Sequence, residues 1–208
     1  EIERMKLNGE ISENEYFAYL AALIEAIDKV ANTAAIYGAF LKKLKRSAQR
    51  PLKLKQILTS NEIAGKVYCG DSNTLNKEIT GDVLYLDPPY NIRQYSSNYH
   101  VLETIARYDS PDLRGKTGLR ETASQNSKYA SSRTVIAEFE DLIKNAKFKV
   151  IILSYNNEGL MPESTIREIM SRYGAYYLRV RERPRFRADS AHKAIVTSEH
   201  LHVLVKHR

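Results

Sequence analysis

The stretch Leu84-Tyr85-Leu86-Asp87-Pro88-Pro89-Tyr90-Asn91 constrains this chain more than any other. A short apolar run meets an acid, two prolines and then an aromatic residue. Proline has no N–H and a fixed φ, so Pro88-Pro89 must end the strand in a rigid, extended turn. Asp87 and Tyr90 therefore project from the carboxyl end of a strand, where open α/β sheets keep their ligands.

An exocyclic amine conjugated to a ring is a chemically demanding ligand for such a turn. The lone pair of an adenine N6 is delocalised, so the nitrogen is a poor nucleophile. A carboxylate accepting one N–H and a carbonyl accepting the other favour a more tetrahedral nitrogen with an available lone pair. Asp87 offers the first acceptor. The Pro88 carbonyl, its direction set by the double proline, offers the second, and Tyr90 offers a flat surface for the base. Stacking of this kind is worth about 1–3 kcal/mol, and transfer from an in-line methyl sulfonium would then rest on positioning and electrostatics. The bland alternative is a strand that simply ends in a stiff turn.

At 208 residues, with 43% hydrophobic and 27% charged residues, the chain suits one α/β domain, or one with a small helical addition. Its apolar runs are too short to cross a bilayer, and no signal-peptide pattern opens it. Cys69 is the single cysteine, so no internal disulfide forms, and a cytoplasmic setting fits. Within Val67-Tyr68-Cys69 it reads as a small buried packing residue. The formal charge of +7 points to a polyanionic partner such as nucleic acid. The five histidines are scattered, so no metal-ligand cluster is expected.

Along the chain, Ser12-Glu13-Asn14-Glu15 has capping-box spacing, with Ile11 set to staple against Tyr16. Tyr16, Leu20, Leu23, Ile27 and Val30 then recur at helical spacing. A second helical pattern runs through Ile36, Phe40 and Leu44 into Lys42, Lys43, Lys45, Arg46, Arg50, Lys53 and Lys55. This cationic run is either a solvated helix face or a phosphate-contacting surface. From residue 66 the period changes: Lys66–Cys69 and Val83–Leu86 read as strands punctuated by Gly65, Gly70 and Gly81. A helix is expected over Asn98–Tyr108, where His100 and Glu103 lie one turn apart; they are close enough to pair, but a structural helix contact is the favoured role. A long loop follows over Asp109–Ser132, then a helix through Val135, Phe139, Leu142 and Ile143. Val150–Leu153 is apolar without alternation, as a strand covered by helices on both faces would be. A short helix over Ile166–Tyr173 and strands near 175–180 and 201–205 complete the reading.

Arg179, Arg181, Arg183, Arg185 and Arg187 alternate, so an extended chain would align them on one face. Pro184 is placed to end that strand. An edge strand kept soluble by charge is one reading; contact with a nucleic-acid backbone is the one favoured here.

Asp87-Pro88-Pro89-Tyr90 resembles the catalytic motif of S-adenosylmethionine-dependent N6-adenine DNA methyltransferases. The continuation Asn91-Ile92-Arg93-Gln94-Tyr95-Ser96-Ser97-Asn98-Tyr99-His100 looks like the D12 class, which includes Dam-like enzymes and type II modification methylases. Val67–Ser72 is similar to that family's motif after its third strand, which implies that Asp71 takes the adenine amine of the cofactor and Ser72 lies along its ring. Ile152–Gly159 resembles the segment closing the far wall of the target-base pocket. The resemblance implies a Rossmann-like class I methyltransferase sheet over residues 61–208, partial at its N-terminal side, after a helical segment, 1–60, in the target-recognition position. It implies duplex DNA as substrate, an adenine flipped out of the stack, and Tyr90, Asn91 and Tyr95 around the flipped base. The Asp109–Ser132 loop and the arginine stripe become candidates for gripping the backbone.

The family also places a Phe-x-Gly-x-Gly loop after its first strand, and none of the nine glycines here stands in a Gly-x-Gly arrangement. The strand before Asp87 would normally pair with that first strand and without it presents a bare apolar edge. The chain is accordingly expected to be part of a longer polypeptide or one half of a split enzyme. Two other readings remain: a non-catalytic nucleic-acid-binding fragment or subunit, and an RNA adenine methyltransferase.

Overall fold

A computed structural model describes residues 1–34, 36–39, 41–56, 65–184 and 196–207. In chain order its elements are α1 (Ile2–Leu7), α2 (Glu13–Val30), α3 (Ser72–Glu78), β1 (Thr80–Leu86), α4 (Tyr95–Asn98), α5 (His100–Arg107), α6 (Val135–Asn145), β2 (Lys147–Asn156), α7 (Glu163–Ser171), β3 (Gly174–Pro184) and β4 (Val196–Lys206). They fall into two units. Glu1–Gly65 with Tyr95–Gln125 form a helical one, and Lys66–Gln94 with Asn126–Arg208 form an α/β one. The helical unit thus takes a second, later piece of chain that no change of composition marks.

In the helical unit, α2 starts where its caps dictate. The Ser12 hydroxyl accepts from the Glu15 N–H while the Glu15 carboxylate accepts from the Ser12 N–H, the full capping box. The helix expected through Ile36 and Leu44 does not form; Phe40 lies outside the described residues. Local side-chain bonds win there. The Asn32 amide spans the segment, accepting from the Lys45 N–H and donating to the Lys43 carbonyl. The Tyr37 N–H goes to the Asn98 carbonyl rather than to a residue one turn back. The cations from Lys42 to Lys55 are consequently exposed on irregular chain, not on a helix face. The Asp109–Ser132 segment carries more structure than a bare loop. Arg114 and Leu119 exchange backbone bonds, and the buried Arg120 guanidinium forks onto Asp109. Glu103 is engaged by Arg107 and Gln125, so the His100–Glu103 pair is not made.

The α/β unit is a four-stranded sheet in the order β1-β2-β4-β3. β1 and β2 are parallel, whereas β4 is antiparallel to both of its neighbours. The register aligns Leu84, Ile151, Leu204 and Tyr176 on one face. There Ile151, Leu153 and Leu204 pack with Phe139 and Ile143 of α6 and Ile166, Ile169 and Met170 of α7. The alternate residues take the opposite face, where Val83, Tyr85, Tyr177 and Val205 are exposed and Val150, Ile152 and Val203 half-buried. The expectation of helices on both faces therefore fails among the described residues: β2 is apolar throughout, but only its Ile151–Leu153–Tyr155 side is fully covered.

The strand expected at Lys66–Cys69 is also absent. No described strand lies beside it, and unpaired extended chain has nowhere to place its ladder groups. Val67 is 96% exposed and Cys69 is exposed rather than buried. β1 is the edge of the described sheet on that side.

Candidate active site

The turn that follows β1 is held at three places. Leu86 is the last residue in register with β2, opposite Leu153, and the two prolines end the pairing. The Tyr90 carbonyl accepts from the Leu160 N–H at 2.9 Å, tying the turn to the segment after β2. The Asn91 side chain accepts from the Arg93 N–H at 2.9 Å, a one-residue-skipping bond that fixes the next bend. The Gln94 side chain then makes two bonds with one residue. Its amide donates to the Ser127 carbonyl at 3.1 Å and its oxygen accepts from the Ser127 N–H at 2.7 Å.

Asp87, Pro88 and Pro89 border a cavity of about 250 Å³. Ser72, Ser127 and Tyr129 also line it, and Leu86, Phe139 and Leu142 supply apolar wall. Asp87 is exposed, and the Tyr90 ring is 44% exposed beyond the cavity lining. Of the expected cofactor residues, Ser72 lines this cavity. Asp71 stands just outside it as the N-cap of α3, one carboxylate oxygen accepting from the Thr74 N–H and hydroxyl. That backbone bond holds the Asp71 carboxyl below its ordinary range. Tyr95 belongs to the helical unit, where its ring stacks on Tyr99 at 5.9 Å.

The segment Ser154–Gly159 works as a brace. Tyr155 is buried, its hydroxyl accepts from the Met161 N–H, and a side chain at Gly159 would collide with its ring. Asn157 accepts from the Ser198 N–H and the Thr197 hydroxyl, fixing the start of β4.

The arginine-bearing half of β3 lies at the same end of the sheet as Asp87. β1 ends at Leu86 opposite Leu153, β2 runs on to Asn156 opposite Glu199, and Glu199 faces Arg181. Arg179, Arg181 and Arg183 are exposed and share a face; Arg185 and Arg187 lie outside the described residues. No group of three potential metal ligands occurs among the described residues, and none of their helices is long and apolar enough to cross a membrane.

Several site residues leave no mark in the sequence. Asn73 and Asn76, both buried, anchor α3 to α6 through the Glu138 and Leu142 carbonyls. Tyr129 adds a bond to Asn73. The spacing of Asn73 and Asn76, one helical turn apart on a short helix, is the only signal available, and it resembles an ordinary polar face.

The sequence pattern of the D12 class N6 adenine-specific DNA methyltransferases matches residues 1–169. This chain belongs to that family. It is 52% identical over 211 residues to the type II methyltransferase M.NlaIII of Neisseria lactamica, covering 99% of the chain and 63% of that relative. It is 40% identical over 204 residues to the type II methyltransferase M.FokI of Planomicrobium okeanokoites, covering 97% and 32%. It is 35% identical over 189 residues to the type II methyltransferase M.CviAII of Paramecium bursaria Chlorella virus 1, covering 90% and 56%. The chain thus spans less than two thirds of each of these relatives. No solved structure matches it.

Proposed function

We propose that this chain carries the base-side half of an enzyme that transfers a methyl group from S-adenosylmethionine to the N6 amine of a flipped adenine in duplex DNA, as the modification partner of a restriction system. The observation that carries the reading is the Asp87–Tyr90 turn. In a chain of this family, it sits at the carboxyl end of a parallel strand, is braced by Leu160 and Gln94, and borders a cavity.

In this reading Asp87 and the Pro88 carbonyl accept the two N–H bonds of the amine, and Asp87 stands ready for the proton the nitrogen sheds. Tyr90, with Asn91, receives the base. Bound S-adenosylmethionine supplies the electrophilic methyl. The residues present fit part of that cofactor: Phe139, Leu142 and Leu86 suit a flat ring, and the Ser72 hydroxyl and the Asp71 carboxylate suit its polar edge. The cavity is smaller than the roughly 300–1,000 Å³ usual for a whole ligand of that size. Arg179, Arg181 and Arg183, at the same end of the sheet, are proposed to grip the DNA backbone, together with Arg185 and Arg187.

The strand order supports a Rossmann-like class I sheet, with β1 and β2 parallel and an antiparallel β4 between β2 and β3. The edge that β1 forms among the described residues, and the apolar face around Val83, Tyr85 and Ile152, are then places for the remainder of the enzyme, from a longer polypeptide or a partner subunit. The setting proposed is the cytoplasm, where the DNA is.

The test is transfer of labelled methyl from S-adenosylmethionine to adenine by the full-length protein, with duplex DNA and single-stranded RNA compared. Asp87→Ala is expected to lower turnover by at least about a hundredfold. Near-normal turnover in a folded Asp87→Ala variant sinks the mechanism, and preference for RNA sinks the substrate assignment.

A further inference from the structure

The cavity beside Asp87 is assembled from pieces far apart in the chain: the start of α3, the end of β1 and its turn, the 127–129 turn, and α6. Chemistry between a base held by Asp87 and a donor held on the Ser72 side requires that these pieces keep their separation. Beyond Leu86 the catalytic turn has no sheet ladder to fix it.

One connector bridges the two sides. At one end, Ser127 takes both bonds of the Gln94 side chain, 2.7 and 3.1 Å. At the other, the Tyr129 phenol donates to the Asn73 side-chain oxygen at 2.8 Å, with the Glu138 carbonyl 3.2 Å away. The connector itself is stiff. The Ser127 hydroxyl accepts from the Tyr129 N–H, the Ser127 carbonyl from the Ala130 N–H, and the Lys128 carbonyl from the Thr134 hydroxyl. Asn73 is locked in turn, its amide donating to the Glu138 carbonyl at 2.9 Å and to Asp141 at 3.0 Å. Tyr129 is 8% and Asn73 5% exposed, so these bonds are shielded from competing water. Burial, with the carboxylates of Glu138, Asp71 and Asp141 nearby, pushes the Tyr129 phenol well above its ordinary value, so it remains a neutral donor throughout the working range.

We propose that Gln94 and Tyr129 are positioning residues for methyl transfer: through Ser127 and Asn73 they form a strut that sets the Asp87 turn at a fixed distance from the Ser72 wall of the cavity. The inference rests on the methyl-transfer reading above. Neither residue touches the reacting atoms. Each acts through the loop or helix it holds, and a misplacement of about 1 Å costs about a hundredfold in rate.

The test uses the full-length protein with duplex DNA. Gln94→Ala and Tyr129→Phe are each expected to lower kcat by about 10- to 100-fold. The KM for DNA, and for Gln94→Ala also the Kd for S-adenosylmethionine, measured per folded molecule, should stay within about threefold. Gln94→Glu keeps the acceptor for the Ser127 N–H and should recover part of the lost kcat, which a loss of folded protein would not produce. In the unmodified protein the Ser127 amide is expected to be strongly protected from hydrogen exchange, a measurement that needs no variant. If the unmodified enzyme methylates adenine while both variants turn over normally, or while the Ser127 amide exchanges freely, the strut is refuted and the methyl-transfer reading stands. If the unmodified enzyme transfers no methyl to adenine, that reading falls and the strut with it.

Discussion

His202 makes the stability of the α/β unit depend on pH in a direction fixed by its surroundings. It sits on β4, on the face covered by α7, with no exposed surface. Its Nδ1 lies 2.8 Å from the Tyr176 hydroxyl. Burial is the main reason its pKa falls to about 4 from an ordinary 6.5; neighbouring His200 and Arg167 push the same way, and Glu163 opposes them. Above pH 7 both folded and unfolded chains hold this imidazole neutral, and it contributes nothing to the pH dependence. As pH falls through 6.5 the unfolded chain takes up a proton that the folded chain refuses, so stability declines until about pH 4. The full span of about 2.5 units corresponds to about 3 kcal/mol, of which about 2 kcal/mol falls between pH 7 and pH 5. That narrower window is the useful one, because the carboxylates of Asp71, Asp141 and Glu163, all held below their ordinary values, stay ionised in the folded state across it. His100, buried and likewise lowered, adds a decline of the same sign, so the comparison must be with a variant. His202→Gln keeps an acceptor for Tyr176 and removes the titration. Urea unfolding followed by far-UV circular dichroism at pH 7 and pH 5 should show the variant losing about 2 kcal/mol less than the parent on acidification. Equal losses in the two proteins would refute the argument.

Replacing Arg179, Arg181 and Arg183 together by alanine should weaken duplex binding and reduce the slope of log affinity against log salt by about 3; an unchanged slope removes these residues from the DNA surface. A methyl group at Gly174 would run into the Val205 carbonyl oxygen and Lys206 backbone at the β3–β4 pairing. Gly174→Ala should therefore cost about 2 kcal/mol or more in urea unfolding, and wild-type stability would mean that the strands pair otherwise.

What could be read from the residues was what is decided locally. The α2 capping box needs only Ser12 and Glu15, and the end of β1 needs only Pro88. The apolar periods of α6 and β2 sit where their side chains demand. Features that depend on a distant partner were illegible. Helical spacing from Ile36 yields to an Asn32 side chain that reaches Lys45, and Val67-Tyr68 has strand composition but no neighbouring strand among the described residues. The candidate site divides in the same way. Asp87 and the prolines announce themselves, whereas Gln94 meets Ser127 and Asn73 meets Tyr129 through isolated side-chain hydrogen bonds across 33 and 56 residues, which leave no period to detect.

The pair of hydrogen bonds between Gln94 and Ser127 has a consequence for how such a protein could diversify. The chain departs from the α/β unit after Gln94 and returns at Asn126, so the clasp closes the neck of the intervening excursion. The two ends of that excursion are thereby held together within the α/β unit. Loop-closure cost grows only slowly with length, so a change of length within this excursion leaves the Asp87–Tyr90 turn tied at the Gln94–Ser127 clasp as before.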